Sequence, residues 1–231
     1  MIRAILFDAG NTLIRMDYAA IAAELGRHGV SVTPEAVQRA EWMARVQLDA
    51  ELFAPEDAFS TESRGTTERY TRYVLNGVGV TDPAVVAAMT EWRRVYNAPV
   101  GLWTVAEPEA AAALALVRDA GRVAGVISNS NGTIRGILER LDLARSLDFV
   151  LDSQEEGLEK PDPRFFQLAL ARAGVPPEAA AYIGDLYSVD VVGARRAGIR
   201  AVLMDPGGCW GARDCPAAPT VLDAVRLLLA D

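Results

Sequence analysis

The chain opens on a short apolar run, Ile2 to Phe7, that stops abruptly at Asp8. Such a run predicts a strand buried on both faces, and the Gly10-Asn11 pair after it starts a loop. From about Asp17 to about Asn97 the spacing turns helical. Tyr18, Ile21, Ala22 and Leu25 fall at i, i+3, i+4 and i+7, and Val85, Met89, Trp92 and Tyr96 repeat the pattern. Thr33-Pro34-Glu35 and Thr81-Asp82-Pro83 read as a cap followed by a first-turn proline. This block predicts about four helices and no strand. After Pro99 the pattern alternates. Helices are predicted over 107–120, 132–140, 163–173, 190–197 and 221–229. Strands are predicted over 122–127, 147–151, 180–184 and 200–204. Alternating strands and helices predict an α/β fold with a doubly wound parallel sheet. The core is expected to comprise residues 1–15 and 99–231. Residues 16–98 form a smaller, all-helical domain inserted after the first strand. The nearest thing to a linker is the Pro/Gly-rich stretch 206–219.

Composition narrows the class. With 231 residues and 51% hydrophobic content, the chain can supply a sizeable core and a companion domain. A formal net charge of −8 and the lack of a Lys/Arg run argue against nucleic acid as a partner, and an acidic surface repels anionic membranes. Cys209 and Cys215 form no CxxC pattern and are too few for a disulfide framework, so two reduced thiols are expected. The N-terminus turns acidic too early for a signal peptide, and no apolar stretch is long enough to span a bilayer. The expected location is cytoplasmic.

Four polar residues follow the predicted strands: Asp8 after the first, Ser128 after the second, Lys160 on the loop after the third and Asp185 after the fourth. A parallel sheet brings its carboxyl ends to one edge, where ligands of open α/β sheets bind. Each has a plainer reading alone: a turn former or helix cap for the aspartates, a helix cap for Ser128, a solvated lysine for Lys160. Asp162-Pro163 is read as a helix cap. Together the four make one chemistry. Two neighbouring carboxylates repel unless a cation lies between them, and hard oxygen ligands suit Mg2+. A lysine offsets negative charge and holds a phosphoryl oxygen. The Ser128 hydroxyl and the N–H groups of Asn129 and Ser130, near a helix start, suit the same anion. A carboxylate in line with phosphorus is a nucleophile.

The arrangement resembles the haloacid dehalogenase-like superfamily at four motifs: Leu6-Phe7-Asp8-Ala9-Gly10-Asn11-Thr12-Leu13, Ile127-Ser128-Asn129, the run from Ser153 through Lys160 to Pro163, and Tyr182-Ile183-Gly184-Asp185 through Asp190 to Gly198. The resemblance implies a Rossmann-like core, with the helical block as a cap domain over the substrate. It implies Asp8 as nucleophile, Ser128 as phosphoryl ligand and Lys160 as charge-stabilising lysine. Mg2+ would be held by Asp8, Asp185 and the Gly10 carbonyl, with Asp190 and Thr12 in support. Gly10 departs from the phosphatase pattern, which places there a second Asp that protonates the leaving alcohol. Such a group is worth roughly 10²–10⁴-fold. The favoured reading is a Mg2+-dependent phosphohydrolase, a monomer or homodimer, acting on a small phosphorylated compound. One alternative is a haloacid dehalogenase-type hydrolase, although those enzymes resemble an Asp-x-Tyr-Gly-Thr start and use no metal. Another is a low-turnover binding or regulatory member of the fold. A phosphonate hydrolase needs a cap lysine, and none lies between Met16 and Pro99. In the cap, Arg64, Arg69, Arg72 and Tyr73 are read mostly as solvated helix faces. His28 is read as a helix-end cation, with acid/base chemistry as its second reading. The tryptophans at 42, 92, 103 and 210 are read as core or interface.

Overall fold

The computed structural model describes residues 1–52, 60 and 63–230; residues 53–59 and 61–62 of the expected helical block, and residue 231, lie outside the described residues. In chain order the first elements are β1 (Ala4–Phe7), β2 (Ile14–Met16), α1 (Tyr18–Arg27), α2 (Pro34–Leu52), α3 (Arg64–Gly77), α4 (Pro83–Val95) and β3 (Trp103–Ala106). There follow α5 (Ala110–Asp119), β4 (Val123–Ser128), α6 (Ile134–Arg140), β5 (Phe149–Asp152), α7 (Ser153–Glu156), α8 (Pro163–Ala173), β6 (Ala180–Gly184), α9 (Val192–Arg196), β7 (Arg200–Met204), β8 (Ala217–Ala218) and α10 (Val221–Leu229). The chain divides into two compact units, Met1–Arg15 with Val105–Asp231, and Met16–Thr104.

The first unit holds a six-stranded sheet in the order β5-β4-β1-β6-β7-β8. Its paired strands run parallel, as the alternating pattern predicts. β1 is buried at all four positions, as a central strand covered on both faces requires. From β1 the chain steps outward to β4 and β5, then returns to β6 on the other side and proceeds to β7 and β8. That reversal is the switch point at which an open sheet leaves a crevice beyond its carboxyl ends. Phe7 stands opposite Val126 on one side and Ile183 on the other, so the residues after these strands emerge at one edge. α8 starts with Asp162 capping the Arg164 N–H and Pro163 in its first turn, and ends at Gly174 in the left-handed conformation.

Several short elements escape the sequence pattern. β2 and β3 form a separate two-stranded sheet, and β8 adds a sixth strand within the Pro/Gly-rich stretch. Strands of two to four residues are too short to show clear alternation. The expected helix from Asp190 is instead one π-helical turn, Tyr187–Val191, running into α9. Asp190 N–H donates to the Leu186 carbonyl at 2.8 Å, so the aspartate sits inside the turn. Both cysteines are free thiols.

The second unit packs α1 to α4 around Ile21, Leu25, Val37, Leu48, Val74, Leu75 and Met89. The fully buried Glu41 accepts from Tyr18 Oη at 3.0 Å, from Arg45 Nε at 3.0 Å and from Tyr70 Oη. A buried charge needs such a complete set of donors. Arg64, Arg69, Arg72 and His28 are exposed, and Tyr73 is half-buried. His28 follows the last turn of α1, with Nε2 3.6 Å from Glu24 Oε1, consistent with the helix-end reading. Trp92 and Trp103 pack against this unit's core, Trp42 is half-buried, and Trp210 of the first unit is buried. Among the described residues no helix is long and apolar enough to cross a membrane.

Candidate active site

Asp8 is the first residue past β1. Its N–H donates to the Ile183 carbonyl at 2.8 Å, which extends the ladder by one rung and pins the aspartate at the sheet edge. The chain then turns sharply. The Ala9 carbonyl accepts from the N–H groups of Leu13 and Ile14, both at 2.9 Å, and Asn11 N–H donates to the Ile14 carbonyl at 2.6 Å. Gly10 bridges to Ile14 within this turn, and Asn11 takes a left-handed φ of 52°. Thr12 is fully buried, and its hydroxyl has no hydrogen-bond partner.

Lys160 reaches the site from the loop between α7 and α8. Its Nζ donates to Asp8 Oδ1 at 2.6 Å, to Asp190 Oδ1 at 2.8 Å and to Tyr182 Oη at 2.9 Å. An ammonium has three N–H groups, so these contacts account for all of them. Lys160 is the only lysine among the chain's 23 Lys and Arg residues. A compact ammonium can satisfy three converging acceptors in a way that a planar guanidinium cannot. Asn129 holds the same residue by its backbone: its side-chain oxygen accepts from Lys160 N–H at 2.8 Å, and its Nδ2 donates to the Lys160 carbonyl at 2.9 Å.

Asp185 and Asp190 flank the start of the π-helical turn. Asp190 Oδ2 accepts from the N–H groups of Asp185 at 3.1 Å and Leu186 at 2.9 Å, while Oδ1 accepts from Lys160 and from Tyr182 Oη at 3.0 Å. Both of its oxygens are thus engaged, Oδ2 in fixing the turn and Oδ1 in holding Lys160 and Tyr182. Asp185 receives the side-chain amide of Asn11, Nδ2 to Oδ2 at 3.0 Å. Oxygens of Asp8, Asp185 and Asp190 lie within 4.8 Å of one another, and all three residues are buried.

Three carboxylates therefore cluster where a single ammonium reaches two of them, Asp8 and Asp190. The Asp8 carboxyl is pushed up to about 6: burial is the largest cause, Lys160 pulls it down, and the Asp190 charge pushes it up again. Burial acts to lower Lys160, but Asp190 and Asp8 outweigh it and hold the ammonium well above its ordinary value. The two shifts have one explanation. A single cation shared by Asp8 and Asp190 gains from both, whereas at Asp8 the shared cation does not offset burial and the Asp190 charge. Tyr182, buried and facing Asp190 and Asp8, stays protonated, its phenol raised well above the ordinary value. The formal excess of negative charge, with hard oxygen donors this close, fits a small divalent cation.

Ser128 ends β4. The register that sets Phe7 opposite Val126 places it one residue beyond the position facing Asp8. It is buried, and its Oγ makes only a long 3.4 Å contact with the Asn129 carbonyl. Ser128 does not cap α6, which starts after Thr133. The expected anion-binding N–H of Ser130 is instead committed to Ser153 Oγ at 2.9 Å, and Ser130 Oγ donates to Asp152 Oδ2 at 2.6 Å. The helix begins too far along the chain for that amide to belong to its first turn.

Sequence reasoning missed Asn11, read only as a loop starter, and Tyr182, which within an apolar strand looks like core. It also missed the depth of Gly184. A Cβ there would lie 2.4–2.6 Å from the Asp190 side chain, so the glycine makes room for the carboxylate. Gly184→Ala is expected to cost about 1–3 kcal/mol through overpacking and to displace Asp190 from Lys160. Gly136→Ala, on α6 with open space around it, is expected to be neutral or up to about 1 kcal/mol stabilising. Urea denaturation of both variants measures the contrast, and equal midpoints would contradict the close-packing argument.

A family model described as haloacid dehalogenase-like hydrolase matches residues 2–198. Haloacid dehalogenase-like hydrolase domain-containing protein 3 of Homo sapiens is 33% identical over 213 residues, spanning 88% of this chain and 82% of that protein. A glyceraldehyde 3-phosphate phosphatase of Methanopyrus kandleri is 28% identical over 209 residues, spanning 90% of this chain and 85% of its own. Among solved structures, a 2-haloacid dehalogenase from Pseudomonas syringae is 25% identical with a TM-score of 0.56, covering 100% of this chain and 99% of that one. With its four motifs gathered in one unit and the family model spanning all of them, the chain belongs to the haloacid dehalogenase-like hydrolases.

Proposed function

We propose that the chain is a Mg2+-dependent phosphohydrolase acting on a small phosphorylated compound through an aspartyl-phosphate at Asp8. The observation that carries this reading is the convergence of Asp8, Asp185 and Asp190 on one another, with Lys160 as the ammonium shared by Asp8 and Asp190. Attack on carbon in a haloacid needs no such excess of carboxylate, whereas a phosphoryl dianion can approach it only with a cation. The phosphatase relative supports the same reading.

The chain's own residues define the steps. Lys160 holds Asp8 Oδ1, which orients the carboxylate so that its other oxygen attacks phosphorus. A bond forms from Asp8 to phosphorus as the ester P–O bond breaks, and the leaving oxygen departs with the electron pair. Water then attacks the phosphorus of phospho-Asp8, releasing orthophosphate and restoring the carboxylate. With its three N–H groups engaged, Lys160 acts on the phosphoryl group chiefly through its charge. Ser128 Oγ, one residue beyond the position facing Asp8 on the neighbouring strand, donates to a phosphoryl oxygen. Asp190 and Tyr182 keep Lys160 in place. Asp8, Asp185 and the Gly10 carbonyl would hold Mg2+, which when bound would supply charge neutralisation at the phosphoryl oxygens. The helical unit is read as the substrate-selecting cap.

The test is hydrolysis of p-nitrophenyl phosphate with Mg2+ and with EDTA, and of 2-chloropropionate alongside. Activity on the aryl phosphate is expected with Mg2+ and none in EDTA. Metal-independent release of chloride would establish the dehalogenase reading in its place. A pH dependence accompanies this. Mg2+ must displace the proton from Asp8, whose carboxyl titrates at about 6, so apparent Mg2+ affinity should fall about tenfold per pH unit below that value. Calorimetric titration between pH 5 and 7.5 reads it, and an affinity independent of pH would overturn this proton competition at Asp8.

A further inference from the structure

The turn after Asp8 needs one residue with positive φ, and Asn11 supplies it at 52°. Glycine meets that demand at no steric cost, and asparagine is one of the few other residues that tolerate it. The conformation alone therefore gives no reason for a side chain. The Asn11 side chain nevertheless crosses to an element 174 residues away, where Nδ2 donates to Asp185 Oδ2 at 3.0 Å in a buried contact. Its backbone N–H is fixed at the same time by the Ile14 carbonyl at 2.6 Å. The amide thus projects from a rigid turn onto one oxygen of the carboxylate.

We infer that Asn11 is a positioning residue for the divalent-cation site, holding the plane of the Asp185 carboxylate by a neutral hydrogen bond. The inference rests on the metal-dependent reading proposed above. Neutrality is the point of the device. The Lys160 ammonium reaches Asp8 and Asp190, and a charge of that kind on Asp185 would cancel the field that attracts a cation. An amide orients the oxygen without cancelling its charge. The turn also ties the two halves of the site together, since the segment that carries Asp8 grips the segment that carries Asp185.

Partners that orient a metal ligand are typically worth 10–100-fold in metal affinity. The experiment is Mg2+ titration by calorimetry on the parent, on Asn11→Gly and on Asn11→Ala, with thermal melting of each metal-free protein. Glycine keeps the left-handed turn and removes the amide. Alanine removes the amide and adds backbone strain. Both variants are expected to bind Mg2+ at least about tenfold more weakly, with Asn11→Gly melting close to the parent when metal-free. Parent-like affinity in Asn11→Gly overturns the inference, and weakening confined to Asn11→Ala assigns the effect to the backbone and overturns it equally. A parent that binds no Mg2+ removes the metal-dependent reading itself, and this inference with it.

Discussion

Asp8→Asn is expected to abolish hydrolysis, with kcat lower by at least about 10⁴-fold, the scale on which a covalent nucleophile is lost. The same substitution is expected to leave the fold intact and to stabilise the metal-free protein at pH 7.5. The Asp8 carboxyl titrates at about 6 in the fold against an ordinary 3.8, so the folded state favours its protonated form. That contribution to stability is fully present below the unfolded value and is lost as pH rises through the folded one. At pH 7.5 the parent has lost it entirely, whereas a neutral amide carries no such penalty. The stability advantage of Asp8→Asn should therefore shrink as pH falls from 7.5 to 5. Two measurements decide the matter. Steady-state hydrolysis of an aryl phosphate gives the rate, and peptide mass analysis after rapid acid quench shows a phosphoryl adduct on the Asp8 peptide of the parent alone. Hydrolysis by Asp8→Asn at the parent's rate would remove Asp8 as nucleophile. A metal-free Asp8→Asn protein less stable than the parent at pH 7.5 would instead show that the Lys160 contact outweighs burial.

The sequence made the strand ends legible because long apolar runs predict buried strands well. β6, β7, α8 and α10 begin and end where the pattern puts them. Asp8, Lys160, Asp185 and Asp190 come together because each follows such a run or lies a few residues past one. Lys160 carried a further signal in plain view, as the chain's single lysine. What escaped was interaction across the sheet. Tyr182 alternates into the core like any strand aromatic, and only the fold shows its hydroxyl against Lys160 and Asp190. Asn11 reads as punctuation because its local job, a positive φ, is sufficient to explain it. The use of Ser130 N–H by Ser153 depends on loop geometry that no periodicity encodes. Local rules of propensity and spacing find the scaffold, and partners fixed by tertiary contact lie beyond them.

Gly10 is the other position where a single substitution should move the rate by orders of magnitude. With no carboxyl group two residues past the nucleophile, the turn offers no side-chain acid to the leaving oxygen. An alkyl alkoxide leaves poorly without a proton, whereas an aryl oxide or a carboxylate leaves readily. The parent is therefore expected to show a steep dependence of kcat/KM on leaving-group pKa, favouring aryl and acyl phosphates over sugar phosphates. Breakdown of phospho-Asp8 should also be slow, since its attacking water lacks a base. Gly10→Asp is expected to raise turnover of alkyl phosphates by roughly 10²–10⁴-fold and to flatten the series. The site would help the new group in one respect. A fourth carboxylate near Asp8, Asp185 and Asp190 meets like charges, which raises its pKa, and a general acid must arrive protonated. The same repulsion predicts a lower melting temperature for metal-free Gly10→Asp and a larger gain on adding Mg2+. The measurement is kcat/KM across phosphate monoesters of graded leaving-group pKa, for the parent and for Gly10→Asp, at saturating Mg2+. A flat series in the parent would place the proton donor elsewhere in the chain or in bound water. A steep series that Gly10→Asp leaves unchanged would show that position 10 does not face the leaving oxygen, and the role assigned to this turn would fall.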